Sequence, residues 1–319
     1  MSRPRRPLSR LAEQAIGALF FERRAADPGL VARLRADIAE IARSADSGIE
    51  ADALWNAKRA ELRRFAATGD PARFMRWPPV RTTMVKRRHG PVAVELRHLR
   101  RRPDWPTRWR PALREMTLGG PRPFPRLPTT SATVLHTAHH LCRFEELTGV
   151  RPETAAFVLE FGGGYGAMGR LLHRLGFRGV HAIYDLPEVS ALQRFYLGHA
   201  GIPVAAWDGR APGSGVVTIS TPDHLERVVA LRPRGTALFL ASWSLGETPL
   251  ALRDRFLAAV SGFDAFLLGY TARFGDIDNR AAFAEWRAAL PHLVWHDLPL
   301  PHMGKAEWYL FGARPPITR

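Results

Sequence analysis

Cysteine is nearly missing from this sequence: Cys142 is the only one in 319 residues. A single thiol closes no intrachain disulfide and builds no thiolate metal cluster, so disulfide scaffolds and zinc ribbons are excluded. Lysine is almost as scarce. Lys58, Lys86 and Lys305 stand among 46 basic residues, and the other 43 are arginine. No apolar run approaches the roughly 18 residues that a membrane-spanning helix needs. The amino terminus is basic, but Glu13 and Gln14 interrupt its apolar stretch and no small-residue cleavage site follows. It does not read as a signal peptide, and we expect an intracellular, cytoplasmic protein.

What remains is globular in composition, with 46% hydrophobic and 24% charged residues, which excludes wholesale disorder. Its length suits two units better than one small domain. Charge divides the chain. Residues 1–126 carry 28 basic and 13 acidic side chains, a net +15, whereas residues 127–319 carry 18 and 17, a net +1. Such an excess suits an anionic partner (phosphate, acidic glycan, nucleic acid, membrane headgroup) or else is solvated arginine-rich helix. We place the division at 129/130.

Before it, apolar residues recur at helical spacing over residues 8–24, from Leu30 to Ile41, and from Ile49 to Ala67, with Ser47-Gly48 as a break. The first of these helices suits a packed core or a membrane surface. Residues 71–129 are rich in proline, arginine and tryptophan. Prolines at that density predict an irregular connector or lid, with Trp77, Trp105 and Trp109 lining a pocket or anchoring the loop. After residue 130 the pattern turns regular. Strands are predicted at 156–161, 180–184, 216–220, 236–242 and 265–270, separated by helices, and two adjacent strands follow at 293–298 and 307–311. This is an α/β arrangement: a seven-stranded, doubly wound, Rossmann-like sheet ending in an antiparallel hairpin, preceded by a helical amino-terminal module. Residues 204–207 would add an eighth strand at the edge.

Glu160-Phe161-Gly162-Gly163-Gly164-Tyr165-Gly166 ends the first strand and opens a helix. Glycines there allow a tight turn and a close backbone approach to a ligand. The spacing alone fits both a dinucleotide and S-adenosylmethionine (SAM). Asp185, ending the second strand, can accept both ribose hydroxyls of either ligand. Glu160 favours SAM, because a carboxylate there attracts ammonium and sulfonium groups but repels a pyrophosphate. The terminal hairpin points the same way.

These segments, together with Tyr184-Asp185-Leu186-Pro187-Glu188, Leu192-Gln193, Ser242-Trp243-Ser244-Leu245-Gly246-Glu247, Ile277-Asp278-Asn279 and the ending Leu298-Pro299-Leu300-Pro301-His302 through Tyr309-Leu310-Phe311-Gly312, resemble the putative sugar O-methyltransferase family of bacterial SAM-dependent enzymes. The likeness covers residues 130–314, with Leu245-Gly246 standing where the family usually has a Phe-Gln or similar pair. It implies a SAM-dependent methyltransferase acting on a sugar hydroxyl, free, nucleotide-linked or in a glycan.

Candidate SAM contacts are Glu160, Gly162, Gly164, Gly166, Asp185, Leu186, Thr221 and Ser242. Methyl transfer to a hydroxyl calls for a general base near the crevice outside the carboxyl ends of the strands. Glu247, His302 and His136 are the candidates, each with a plain structural role as its rival. His136 and His140 share a helix face, a spacing that also suits a metal. No acidic partner accompanies them, so no metal site is assigned, although Asp276 and Asp278 keep a divalent ion as an alternative. The acceptor is expected to be anionic and held by the basic amino-terminal part. RNA methylation is a rival reading without a recognisable RNA-binding motif. A catalytically inactive binding module is another, opposed by the intact Glu160, glycine loop and Asp185.

Overall fold

The computed structural model describes residues 15–17, 19–44, 53–86 and 89–315. The predicted break at Ser47-Gly48 and residues 8–14 and 18 of the first predicted helix lie outside the described residues; residues 15–17, 19 and 20 are helical, and 21–24 are not. Helix α1 (Pro28–Arg43) starts where the Asp27 carboxylate accepts the Leu30 N–H, with proline in the first turn. Helix α2 (Ala53–Thr68) follows.

The stretch expected to be an irregular connector is largely helical. It contains a 3₁₀ turn (Pro71–Arg76), α3 (Pro78–Thr83), α4 (His89–Leu99), a π turn (Trp105–Trp109) and the short α5 (Arg110–Ala112). The prolines were compatible with helix because of where they fall. Pro71, Pro78, Pro79, Pro91, Pro106 and Pro111 all occupy first turns, where a missing N–H costs no hydrogen bond. A small hairpin, β1 (Pro123–Phe124) and β2 (Leu127–Ser131), leads to α6 (Ala132–Thr148).

The second part alternates as its sequence predicts: β3 (Phe157–Phe161), α7 (Ala167–Leu175), β4 (Val180–Tyr184), α8 (Pro187–His199), β5 (Val204–Ala206), β6 (Gly215–Ile219), α9 (Pro222–Ala230), β7 (Ala237–Ser242), α10 (Leu250–Ala259) and β8 (Ala265–Thr271). A two-stranded ribbon, β9 (Arg273–Phe274) and β10 (Ile277–Asp278), precedes α11 (Asn279–Ala288), β11 (Val294–Pro299) and β12 (Glu307–Ala313). The main sheet has eight strands in the order β11-β12-β8-β7-β3-β4-β6-β5. Strands β5 through β8 and β3 and β4 run parallel, whereas β12 is antiparallel to both β8 and β11. The final hairpin is therefore threaded, with its second strand inserted inside its first. The extra strand, β5, is an edge strand.

Alternation along each strand feeds two cores. Val158, Leu240, Leu267 and Phe311 face α6 and α7, while Phe157, Leu159, Phe239 and Phe266 face α9, α10 and α11. The first core also takes in Val92, Leu96 and Leu99 of α4, together with Trp109. Trp109 is fully buried, so it anchors this core. Helix α1 packs on α8 in a third cluster through Leu34, Ile38 and Phe195.

Many arginines of the basic part are engaged internally. Glu188, fully buried at the start of α8, accepts from Arg59 at 3.0 Å and from Arg63, which ties α2 to α8. Arg108 pairs with Glu145 at 2.7 Å and Glu153 at 2.6 Å. Part of the charge excess is thus cross-linking within the fold.

Candidate functional site

A doubly wound sheet opens its crevice where the strand order reverses. Here that point lies at the carboxyl ends of β3, β4 and β7, and a cavity of about 660 Å³ occupies it. Its floor is the 160–165 loop, Asp185-Leu186 and Ser242-Trp243-Ser244. Its far walls are residues 82–86, His136 and His140 of α6, and Glu247.

Two loop glycines are required for different reasons. Gly162 has φ +70°, and a Cβ there would lie 2.4 Å from Ser244 Cβ; Ser244 in turn donates to the Phe161 carbonyl at 2.6 Å. Gly164 has φ +54°, and its Cβ would point towards Met84 across the cavity. Its N–H donates to Asp185 Oδ2 at 3.1 Å, and its carbonyl accepts from Gln193 Nε2 at 2.8 Å. Gln193 also donates to Asp185 Oδ2 at 3.0 Å. Loop, carboxylate and α8 are thereby fixed to one another. Gly166 caps α7 with a left-handed backbone.

Burial, reinforced by the nearby charge of Glu160, pushes the Asp185 carboxyl up to about 7 despite the hydrogen bonds from Leu186, Gly164 and Gln193. Two buried polar atoms without a hydrogen-bond partner, Glu160 Oε2 and Ser242 Oγ, belong to residues that line this cavity. Buried polar atoms left unpaired are costly, so both are suited to meeting a bound ligand. His181 Nε2 lies 3.0 Å from Glu160 Oε2 but is not aligned for a hydrogen bond. Paired carboxylates at the ends of β3 and β4 could hold a ligand that carries a positive charge and vicinal hydroxyls. A pyrophosphate would be repelled by the same pair.

On the opposite wall, His136 Nδ1 lies 2.7 Å from Glu95 Oε1. Glu95 sits on α4 and is fully buried. Burial opposes its charge, but the rings of His136, His302 and His139 around it hold its carboxyl well below the usual range. An ionised carboxylate only accepts, so a neutral His136 ring places its proton on Nδ1 and keeps the Nε2 lone pair, on a ring that lines the cavity. Burial lowers the His136 pKa, while the Glu95 contact pulls it back up. Glu95 is the acidic partner that the helix face itself lacked. The sequence could not single it out, because it stands 41 residues away in a stretch that read as irregular.

Other candidates are dispersed. Glu247 lines the cavity at the end of a short 3₁₀ turn, Leu245–Glu247. His302 is not among the cavity-lining residues: its Nε2 lies 3.2 Å from Glu95 Oε1, behind His136. The Thr221 hydroxyl caps α9 by accepting the His224 N–H, and the residue lines a neighbouring cleft of about 840 Å³. Asp278 caps α11, with Asp276 in the adjoining ribbon. Cys142, on α6, is buried beside Glu146, and burial together with that carboxylate pushes its thiol far above the ordinary range.

Trp243 is the one described non-glycine residue with positive φ, +52°. Backbone of this kind costs about 1–3 kcal/mol and persists where its surroundings enforce it. Here the Trp243 N–H donates to the Gly269 carbonyl at 2.7 Å and its indole N–H donates to Glu307. The ring is thereby held against His136 and His140, with the Lys86 ammonium 5.6 Å from its centre.

No protein-family model and no curated protein matches the chain. Solved structures do. The fibrillarin pre-rRNA processing protein of Methanococcus jannaschii is 10% identical over 54% of this chain and 73% of its own, with a TM-score of 0.39. Magnesium protoporphyrin IX methyltransferase of Synechocystis PCC 6803, solved with bound SAM, is 10% identical over 57% and 83%, at 0.38. A glycopeptide N-methyltransferase complexed with sinefungin is 16% identical over 56% and 86%, at 0.38. At these values the likeness is one of fold, and the functional reading rests on the cavity itself. Among the described residues, no helix is long and apolar enough to cross a membrane.

Proposed function

We propose that the protein is a SAM-dependent O-methyltransferase whose acceptor is a sugar hydroxyl. The observation that carries the reading is one cavity with two acids at the ends of β3 and β4 on one side and the Glu95-backed His136 ring on the other. SAM supplies an electrophilic methyl group on a positively charged sulfur. Asp185 accepts from the ribose hydroxyls, Glu160 and Ser242 meet the polar amino-acid end, and Leu186 contributes apolar contact. His136 Nε2 accepts the proton given up by the acceptor hydroxyl, and Glu95 stabilises the resulting imidazolium. Glu247 and His302 are the weaker base candidates, since His302 is turned to Glu95. The acceptor lies towards Trp243, Trp55 and Lys86, a set with two flat aromatic surfaces and one cation for an anionic sugar. Arg59, Arg63, Arg102 and Arg108 are bound to carboxylates of the chain, so the arginine excess gives little separate support to an RNA acceptor.

The test is incubation with labelled SAM and a panel of sugars, nucleotide sugars and RNA. Label should enter a sugar hydroxyl. His136→Ala should slow turnover by about 10²–10⁴-fold with SAM affinity unchanged. Label confined to RNA, or a rate within a few-fold of wild type, would overturn the acceptor or the base respectively.

A further inference from the structure

Glu95 is an unusual charge among the described residues. It is fully buried, yet no lysine or arginine pairs with it among the described residues; its neighbours are imidazoles. Its second oxygen, Oε2, is buried with no hydrogen-bond partner. A carboxylate buried without a cation costs several kcal/mol, on the order of the desolvation penalty of one ion. Arg170 performs that service for buried Glu115, and Arg59 and Arg63 do so for buried Glu188. The residues beside Glu95 have donor atoms where the others have a guanidinium.

We propose that Glu95, His139 and His302 form a binding site for a divalent metal of the zinc class. One ligand atom from each lies within 4.8 Å of the others. His302 Nε2 is 3.2 Å and His139 Nδ1 4.0 Å from Glu95 Oε1. Two ligands each about 2.0–2.1 Å from a tetrahedral ion lie about 3.3 Å apart, so His302 and Glu95 already stand at that spacing, whereas His139 must move inward and give up the 3.2 Å contact of its Nδ1 with the Tyr309 hydroxyl. Two imidazoles and one carboxylate suit zinc and leave a fourth position for water. The neighbouring group of His98, Cys142 and Glu146 is a poorer choice. Glu146 is already met by Arg143 at 2.7 Å and Arg102 at 3.5 Å, and the thiol is strongly disfavoured from ionising.

The three ligands come from α4, α6 and the loop between β11 and β12. A metal would cross-link these elements directly behind His136 and fix the carboxylate that His136 contacts. None of the three ligands lines the cavity, but Glu95 also backs His136, so the site shares a residue with the proposed base and is tested by metal binding rather than by turnover.

The experiment uses full-length protein freed of any histidine tag. After exhaustive chelation and dialysis, zinc is titrated and bound metal counted by mass spectrometry; cobalt(II) is titrated in parallel and followed by visible absorption. One zinc per chain and an intense tetrahedral cobalt spectrum are expected. His139→Ala and His302→Ala should each lower zinc affinity by at least the roughly 10–100-fold seen for weaker perturbations of metal sites, whereas His98→Ala should not. All three variants should keep the wild-type circular dichroism spectrum and a cooperative thermal transition, showing that they are folded. Absence of stoichiometric zinc together with absence of a cobalt spectrum in the wild-type protein would overturn the site, and so would unchanged affinity in both ligand variants.

Discussion

Asp185 joins the two halves of the site, and burial pushes its carboxyl up to about 7. In an unfolded chain the same group titrates at about 3.9. Between those values the folded protein keeps a proton that the unfolded chain has released, so raising the pH through this window lowers the stability of the ligand-free protein. On the proposed reading, in contrast, the ribose hydroxyls of SAM would donate to the ionised form. SAM affinity should therefore rise with pH, level off above about 7, and fall by up to about tenfold per pH unit below it. Calorimetry on both sides of that pH checks this, and Asp185→Asn should flatten the profile. Asp185→Ala should weaken SAM by about 1.5–3 kcal/mol through loss of charge-assisted hydrogen bonds. A wild-type affinity that ignores pH would remove Asp185 from the ribose.

Among the elements, α8 is the junction. Gln193 holds the glycine loop and Asp185, while Glu188 at its first turn is clasped by Arg59 and Arg63 from α2. Glu188→Ala would leave two guanidinium groups facing an empty site. Breaking such a pair costs about 3–5 kcal/mol, and Arg63 keeps enough solvent contact to place this change at the lower end. Thermal unfolding should show a clearly lowered midpoint; an unchanged one would make the clasp ornamental. The same junction shows what a sequence can display. The glycine loop, Asp185 and every strand of the main sheet were legible because they are local: apolar runs, β-branched residues and turn glycines lie next to one another. Glu188 was legible as part of a motif, but its partners stand 125 and 129 residues away. Helix α4 was hidden for a different reason. Its proline falls in the first turn, so density of proline was a poorer guide than its position. Glu95 was hidden along with it.

At the scale of the whole molecule, the division in charge is not a division in packing. Val92, Leu96, Leu99 and Trp109 are buried in one core with Val158, Leu240 and Phe311 of the sheet. A fragment beginning near residue 127 would strip that face of α6 and expose a continuous apolar surface. It should give no cooperative unfolding transition by circular dichroism; a sharp transition would mean that the sheet stands alone. Helix α6 lies at the centre of this arrangement and bears the chain's sole thiol, Cys142. A thiol-selective alkylating reagent therefore has one target, and reaches it as a thiolate only when α6 opens. The labelling rate is then a stopwatch on a single helix. Followed with rising denaturant, it should report whether α6 lifts off by itself or is released only when the whole sheet comes apart.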